Sequence, residues 1–140
     1  MVWDFRKHPR CIKTLLGHSD WVRILDKQLE NRVQLIISGS WDKTIRQWDF
    51  KSGNCVRILE GNQDYIVYFL TLSNCHLLSA SSDKTIRKWD LTTGDCSLVI
   101  YGHTDWVDCL LALPSCDASC GSQIVSGFSD NTIKMCKQFY

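Results

Sequence analysis

An excess of charge of one sign is absent from this 140-residue sequence, in which sixteen Lys and Arg stand against fifteen Asp and Glu, a net charge of +1. Proteins that are drawn to nucleic acid or anionic lipid by long-range electrostatics carry a strong basic excess. The balance excludes that mode of attraction, so we do not expect bulk charge to select the partner.

Long hydrophobic runs are absent as well. The longest, such as 65–72, fall far short of the roughly 20 apolar residues that cross a bilayer as a helix. Residues 1–7 lack the apolar core of a signal peptide. We therefore expect an intracellular protein, cytoplasmic or nuclear, with no membrane partner. Its 44% hydrophobic and 22% charged residues are typical of one globular domain.

Two blocks of sequence recur three times, and they are the main signal. The first is GHSDWV at 17–22, which returns as GNQDYI at 61–66 and GHTDWV at 102–107. The second is SGSWDKTIRQWD at 38–49, which returns as SASSDKTIRKWD at 79–90 and SGFSDNTIKMCK at 126–137. The first-block glycines lie 44 and 41 residues apart, a period that indicates a repeat architecture.

These blocks and their period resemble the WD40 repeat family, in which each repeat forms one four-stranded antiparallel blade of a β-propeller. The resemblance covers nearly the whole chain. It implies an all-β fold of about three WD40-type blades in an open or partial propeller. By this alignment 1–16 ends a preceding blade, with its fourth strand predicted at 11–16, 17–60 and 61–101 are blades, and 102–140 is an incomplete blade.

Length varies between repeats only in the connection from the first to the second strand. These connections fall at 26–32, 73–75 and 114–122, where Asn, Asp, Ser, Gly and Pro are frequent. Such residues favour exposed turns, and we predict turns there.

The resemblance also implies a buried hydrogen-bond chain in each blade, running from a Trp to a Ser, a His and a turn Asp. In the first full blade the chain consists of Trp48, Ser38, His18 and Asp42. The second supplies Trp89, Ser79 and Asp83 but has Asn62 in place of the His, so its chain should be shorter or bridged by water. The third keeps His103, Ser126 and Asp130 but has Cys136 in place of the Trp, so it should be looser.

A Ser, a His and an Asp could also form a hydrolase triad. The set recurs once per repeat and no nucleophile elbow accompanies it, so the pattern favours a structural role, with no catalytic residue and no cofactor.

Cys116 and Cys120 could begin a zinc site, but no second ligand pair is present and we predict no metal. Equivalent cysteines in different blades should not meet, and reduced thiols are the simpler interpretation. His8 and His76 fall in turn-like stretches and should be solvated.

The resemblance also implies that one rim of the blades, which the family commonly uses for partners, carries residue types that dominate protein interfaces, with Trp41 at a turn edge where the other repeats have Ser. The predicted partner-binding residues are Trp21, Arg23, Trp41, Tyr65, Trp106 and Asp108. The alternative is that Trp21, Tyr65 and Trp106 pack between blades. We expect a non-enzymatic scaffold or adaptor that binds other proteins through this rim.

Two alternatives stay open. Basic residues near the third strands could bind RNA, although charges beside turns are usually solvated. These residues are Lys43, Arg46, Lys84, Arg87, Lys88 and Lys134.

The number of blades leaves a second alternative. Closed propellers need about four to eight blades, so the chain is either a non-functional fragment of a longer propeller or a self-associating chain that makes a six-bladed ring from two copies. The start inside a blade and the Cys136-Lys137 end favour the fragment.

Overall fold

The computed structural model describes residues 2–4, 10–73, 75–113 and 123–137, and these contain thirteen strands and no helix. The strands are β1 (Val2–Asp4), β2 (Arg10–Lys13), β3 (Val22–Glu30), β4 (Val33–Ser40), β5 (Ile45–Asp49), β6 (Cys55–Leu59), β7 (Ile66–Ser73), β8 (His76–Ser81), β9 (Ile86–Asp90), β10 (Cys96–Ile100), β11 (Val107–Leu113), β12 (Gln123–Phe128) and β13 (Ile133–Lys137).

The strands form four antiparallel sheets in which neighbours in sequence are neighbours in space. Blade 1 is β3-β4-β5-β6 and blade 2 is β7-β8-β9-β10. Blade 3 has the three strands β11-β12-β13, and β1-β2 form a separate ladder. The first strand of blade 2 contacts the first strands of both other blades, so β3, β7 and β11 lie side by side on the inner edge. The prediction of all-β propeller blades is confirmed, and the described strands form an arc that does not close.

The hydrophobic core lies between the blades. Ile37, Ile45 and Leu59 of blade 1 pack against blade 2 residues such as Ile66 and Phe69. The second joint packs blade 2 against blade 3. Its buried residues are Leu78, Ala80, Ile86, Val107, Leu110, Ile124 and Phe128. Blade 2 therefore packs through both of its faces and blades 1 and 3 through one each, as β-branched and aromatic residues on a twisted sheet allow.

The hairpin between the second and third strands is built the same way in every blade. The Oδ1 atom of Asp42 accepts hydrogen bonds from the backbone N–H and the hydroxyl of Thr44. Asp83 with Thr85 and Asp130 with Thr132 repeat this pair of bonds. The residue after each Asp has a left-handed backbone conformation, with φ of 72° at Lys43. The aspartate side chain thus holds a turn that its neighbour alone would disfavour.

Three local predictions are wrong. Strand β3 continues through the predicted turn to Glu30 and leaves only Asn31 and Arg32 as the turn, because Gln28 is buried and its Oε1 accepts a bond from Gln47 Nε2. His76 begins β8 opposite Asp90 and is half-buried. Strand β2 ends at Lys13 rather than at residue 16. His8 and the predicted turn at 114–122 lie outside the described residues.

Gly39 tests the joint between blades 1 and 2. A Cβ at this position would lie 2.9 Å from Ile24 Cγ2 and 3.0 Å from both Ile66 Cγ2 and Phe69 Cδ1. We expect Gly39→Ala to lower the free energy of unfolding by about 1–3 kcal/mol, because the packed joint must shift. Urea denaturation followed by circular dichroism measures this.

Gly127→Ala is the matched control in blade 3. Its Cβ would meet only the Sγ of Cys109, a side chain that is exposed and free to rotate. The control should cost less than about 1 kcal/mol. Equal losses in the two variants would contradict the assignment of Gly39 to a closely packed joint.

Candidate protein-binding rim

The complete hydrogen-bond chain lies in blade 1. Trp48 Nε1 donates to Ser38 Oγ at 2.7 Å, and Ser38 Oγ lies 2.6 Å from His18 Nε2. His18 Nδ1 lies 2.7 Å from Asp42 Oδ2. A carboxylate can only accept, so His18 Nδ1 is the donor and its Nε2 accepts from the Ser38 hydroxyl. The chain connects the buried indole to the turn.

Asp42 gathers the largest number of these bonds. Its carboxylate accepts from the backbone N–H of Ser19 in addition to His18 and Thr44. Burial alone would raise the pKa of Asp42, but the hydrogen bonds from Thr44, His18 and Ser19 outweigh it and hold the pKa at about 2. The carboxylate is therefore ionised at neutral pH and ties the loop at 17–21 to the turn at 40–44.

Blade 2 has a shorter chain. Trp89 Nε1 donates to Ser79 Oγ at 2.8 Å, and the Ser79 hydroxyl donates to Asn62 Oδ1 at 3.3 Å. The Nδ2 atom of Asn62 is buried without a hydrogen-bond partner among the described residues. Asp83 is held separately by the backbone N–H of Gln63 and by Thr85. The hydrogen-bond chain of blade 2 thus ends at Asn62, whereas His18 at the same position in blade 1 continues the chain to the turn aspartate.

Blade 3 does not join its three predicted chain residues. Ser126 donates to the backbone carbonyl of Lys134, and neither ring nitrogen of His103 has a hydrogen-bond partner among the described residues. The His103 ring stacks on Phe128 with centroids 3.9 Å apart. Asp130 is held by Thr104 and Thr132 instead. Phe128 stands where blades 1 and 2 have Ser40 and Ser81, and its ring occupies the space beside the histidine.

The first strand of each blade begins with a β-bulge that shapes the rim. The pairing skips Arg23 in β3, Val67 in β7 and Asp108 in β11, so each is the extra residue of its strand. A bulge bends the strand and redirects a side chain. Just before it, the backbone carbonyl of Trp21 accepts a bond from Trp41 N–H at 2.9 Å, and Tyr65 and Trp106 make the equivalent bonds to Ser82 and Ser129.

Three aromatic rings form one continuous stack across blades 1 and 2. Trp41 lies between Trp21 and Tyr65, with ring centroids 4.7 Å and 4.9 Å away and interplanar angles of 23° and 14°. The guanidinium carbon of Arg23 lies 5.9 Å from the Trp41 ring centroid. Trp21 is 66% exposed. The rings stack with one another at the surface and are not buried in the core between the blades.

Two predicted rim residues stay apart from this stack. Trp106 is exposed on blade 3 with no ring contact among the described residues. Asp108 Oδ2 accepts a hydrogen bond from Ser129 at 2.6 Å. The structure therefore brings together Trp21, Arg23, Trp41 and Tyr65, which we call the aromatic rim.

Most of the basic residues near the third strands are engaged within the protein. Lys43 and Lys84 donate to the carbonyls of Gln63 and Thr104 in the next blade. Lys134 donates to the Gly102 carbonyl. Arg46 lies over the Trp48 ring, and Arg87 lies 3.9 Å from Asp83. Each of these five cations therefore has a partner within the protein, at a blade joint or a turn.

The described part of the chain shows no cluster of three His, Cys, Asp or Glu residues that could hold a metal ion. Its six cysteines are free, and the thiols of Cys11, Cys55 and Cys96 each point at the carbonyl two residues on, at 3.4 Å. Cys116 and Cys120 lie outside the described residues. Among the residues that the structure covers, no helix is long and apolar enough to span a membrane.

Comparison with known proteins identifies the repeat. The family model "WD domain, G-beta repeat" matches residues 9–49, 53–90 and 94–136, which together are most of the chain. The chain belongs to the WD40 family. The three matches correspond to the three copies of the recurring blocks, and each WD40 match ends inside or beside a third strand.

Curated relatives include WD-repeat, nuclear distribution and mitochondrial division proteins. The chain is 42% identical to nuclear distribution protein PAC1 of Gibberella zeae over 67 residues, 47% of this chain and 14% of the relative. It is 36% identical to an uncharacterised WD repeat-containing protein of Schizosaccharomyces pombe over 80 residues, 55% of this chain and 21% of the relative. It is 36% identical to mitochondrial division protein 1 of Eremothecium gossypii over 70 residues, 44% of this chain and 9% of the relative. The matches span about a fifth or less of these relatives.

Removing Ser38 tests the hydrogen-bond chain. In Ser38→Ala the Trp48 indole N–H and the His18 Nε2 lose their shared partner inside the blade. We expect the free energy of unfolding to fall by about 1–3 kcal/mol, the cost of an orphaned buried polar group. Ser126→Ala, which removes only a bond to a backbone carbonyl, should cost less than about 1 kcal/mol. A larger loss of stability in Ser126→Ala than in Ser38→Ala, measured by urea denaturation, would contradict the hydrogen-bond chain from Trp48 through Ser38 to His18.

His103 makes stability depend on pH. Burial, followed by the positive charge of Lys134, lowers the pKa of His103 below its ordinary 6.5, and Asp130 opposes this only in part. On lowering the pH, His103 is therefore protonated in the unfolded protein before it is protonated in the folded protein. The free energy of unfolding is highest above pH 6.5 and falls as the pH drops below that value. We expect the unfolding midpoint in urea to fall between pH 7.5 and 5.5. His103→Asn, with the residue that blade 2 has there, should lose much of this slope; an unchanged slope would contradict the assignment.

Proposed function

We propose that this WD40 chain is a non-enzymatic scaffold or adaptor that binds other proteins through the aromatic rim. The observation that carries the proposal is the stack of Trp21, Trp41 and Tyr65 on the surface with Arg23 beside it. Trp, Tyr and Arg are the residues most often responsible for the affinity of protein interfaces.

The rim is rigid before any partner arrives. Trp21 lies in the loop whose Ser19 N–H donates to the Asp42 carboxylate. Trp41 directly precedes Asp42 in the turn, where the same carboxylate accepts from the Thr44 N–H. The backbone bond from Trp41 to Trp21 adds a second link. A preformed surface loses little conformational entropy on binding, which raises the affinity per contact. The rings and the guanidinium suit a partner surface that offers apolar atoms next to a carboxylate.

Nucleic acid is the weaker alternative. Five of the six basic residues named for it bond to carbonyls, cover a ring or face an aspartate of this chain. Catalysis finds no support either, because the Ser, His and Asp of blade 1 sit in a chain that begins at a buried indole and ends at a turn.

The cellular process is not transferred from the relatives. Their names refer to nuclear distribution and to mitochondrial division, and the matched segments are small parts of each. What the relatives share with this chain is the WD40 blade, so the proposal is restricted to protein binding. We further propose a cytoplasmic or nuclear location, since the six described thiols are free, as in reducing compartments.

Trp41→Ser tests the proposal with the residue type that blades 2 and 3 have at this position. The stack should break while the backbone bond to Trp21 stays. We expect proteins captured from a cell lysate by the immobilised wild-type chain to be recovered roughly 30-fold less well, as loss of about 2 kcal/mol implies. Quantitative mass spectrometry measures the recovery, and circular dichroism checks the fold.

Leu98→Ser is the control, because Leu98 is exposed on β10, away from the rim. It should leave the recovery unchanged. A Trp41→Ser protein that is folded and captures the same proteins at the same level would refute the proposal. Salt-sensitive binding of a random-sequence RNA oligonucleotide by the wild-type chain would support the nucleic-acid alternative instead.

A further inference from the structure

The aromatic rim crosses the joint between blades 1 and 2. Trp21 and Trp41 belong to blade 1, and the Asp42 carboxylate ties together the two segments that carry them. Tyr65 belongs to blade 2, yet its ring stacks on Trp41 with centroids 4.9 Å apart. The apolar core of the joint includes the adjacent Ile66, whereas Tyr65 lies outside it and is 36% exposed. The spacing of the two rings therefore depends on what bonds across the joint at the surface.

Lys43 makes such a bond. Its Nζ atom donates to the backbone carbonyl of Gln63, in the loop that enters blade 2, at 3.0 Å. The backbone N–H of Gln63 donates to Asp83 Oδ2 at 2.9 Å. Gln63 is therefore held from blade 1 on one side and from the turn of blade 2 on the other. Lys43 follows Trp41 by two residues and Gln63 precedes Tyr65 by two, so the bond joins the two segments that carry the stacked pair.

The shape of the turn directs the lysine to the next blade. Lys43 has a left-handed backbone conformation, with φ of 72°, and Asp42 holds it there through its bonds to Thr44. Lysine is uncommon in this conformation. Lys84 has a φ of 69° in the equivalent turn of blade 2 and donates to the Thr104 carbonyl of blade 3 at 2.9 Å. The same backbone shape therefore makes the same bond across both joints.

The two joints differ in the rings beside the lysine bond. At the joint between blades 1 and 2, Trp41 and Tyr65 stand on either side and stack. At the joint between blades 2 and 3, Ser82 takes the place of Trp41, and Trp106 has no ring contact among the described residues. A lysine bond at the first joint can therefore set the geometry of a ring pair, whereas the same bond at the second joint joins the blades without one.

We propose that Lys43 is a positioning residue of the aromatic rim: its bond to Gln63 holds Tyr65 against Trp41 and keeps the three rings in one surface. An ammonium donates a charge-assisted hydrogen bond, which is stronger than a neutral one. Without this bond the loop at 61–65 is tied to blade 2 alone, and the third ring moves away from the stack. The effect of Lys43 on binding rests on the proposed function of the rim, whereas its effect on the ring geometry is independent of that function.

Near-ultraviolet circular dichroism tests the effect on the rings, and Tyr65→Ala identifies the part of the signal that the third ring adds. Lys43→Met keeps nearly the length of the side chain and removes its donors, so we expect it to lose most of that part. Lys43→Arg keeps a cationic donor and should retain the signal. In the Tyr65→Ala protein, Lys43→Met should change the signal no further, because both substitutions act on the same ring contact.

Lys84→Met is the matched control, because it removes the same bond at the joint without a stacked pair. It should lower the unfolding midpoint in urea by an amount similar to that of Lys43→Met and should keep the near-ultraviolet signal. A Lys43→Met protein that retains the contribution of Tyr65, or a Lys84→Met protein that loses as much of it, would overturn the proposal. A further loss of signal when Lys43→Met is added to Tyr65→Ala would overturn it as well.

Recovery of the proteins captured by the wild-type chain tests the effect on binding. Lys43→Met should recover them roughly fivefold less well, a smaller loss than that of Trp41→Ser, and Lys84→Met should recover them at the wild-type level. Unchanged recovery by a Lys43→Met protein that has lost the signal of Tyr65 would overturn the role of Lys43 in binding. A folded Trp41→Ser protein with full recovery would refute the proposed function instead and would leave the result on the ring geometry intact.

Discussion

The hydrogen bonds to the Asp42 carboxylate are the interaction on which the geometry of the aromatic rim depends. One carboxylate accepts from His18 at the end of the buried chain, from Ser19 in the preceding loop and from Thr44 across the turn. The loop at 17–21 carries Trp21, and Trp41 directly precedes Asp42 in the turn. The buried hydrogen-bond chain therefore extends from the core of blade 1 to the base of the aromatic rim, and it fixes the two segments that carry Trp21 and Trp41.

The three blades show what happens when the hydrogen-bond chain loses one of its residues. Blade 2 keeps the indole and the serine but stops at Asn62, and its turn Asp83 is held by local bonds. Blade 3 lacks the indole, and His103 stacks on Phe128 instead of bonding. All three turns retain their Asp–Thr pair, so the strands and turns form in every blade. Only blade 1 connects its turn to its core, and it is the blade that carries two of the three stacked rings.

Much of the fold and some of the rim could be predicted from the sequence. The period and the recurring blocks indicated the blades, and the placement of Trp41 at a turn edge indicated a surface role. The stack itself could not be predicted, because it depends on the angle at which blade 1 meets blade 2 and brings Tyr65 beside Trp41. The length of β3 was missed because Asp26, Lys27 and Gln28 resemble a loop in composition. The incomplete hydrogen-bond chain of blade 3 had two signals in the sequence: Cys136 in place of the Trp, which predicted a looser network, and Phe128 in place of a serine, which the sequence analysis did not use.

Near-ultraviolet circular dichroism of Asp42→Ala tests the central claim most directly, because stacked Trp21 and Trp41 rings give a strong signal that Trp41→Ser identifies. We predict that Asp42→Ala loses most of this signal while its far-ultraviolet spectrum still shows the strands. Asp130→Ala, in blade 3, which carries none of these three rings, should keep the signal. An Asp42→Ala protein with the full wild-type signal would contradict the claim that this carboxylate positions the aromatic rim.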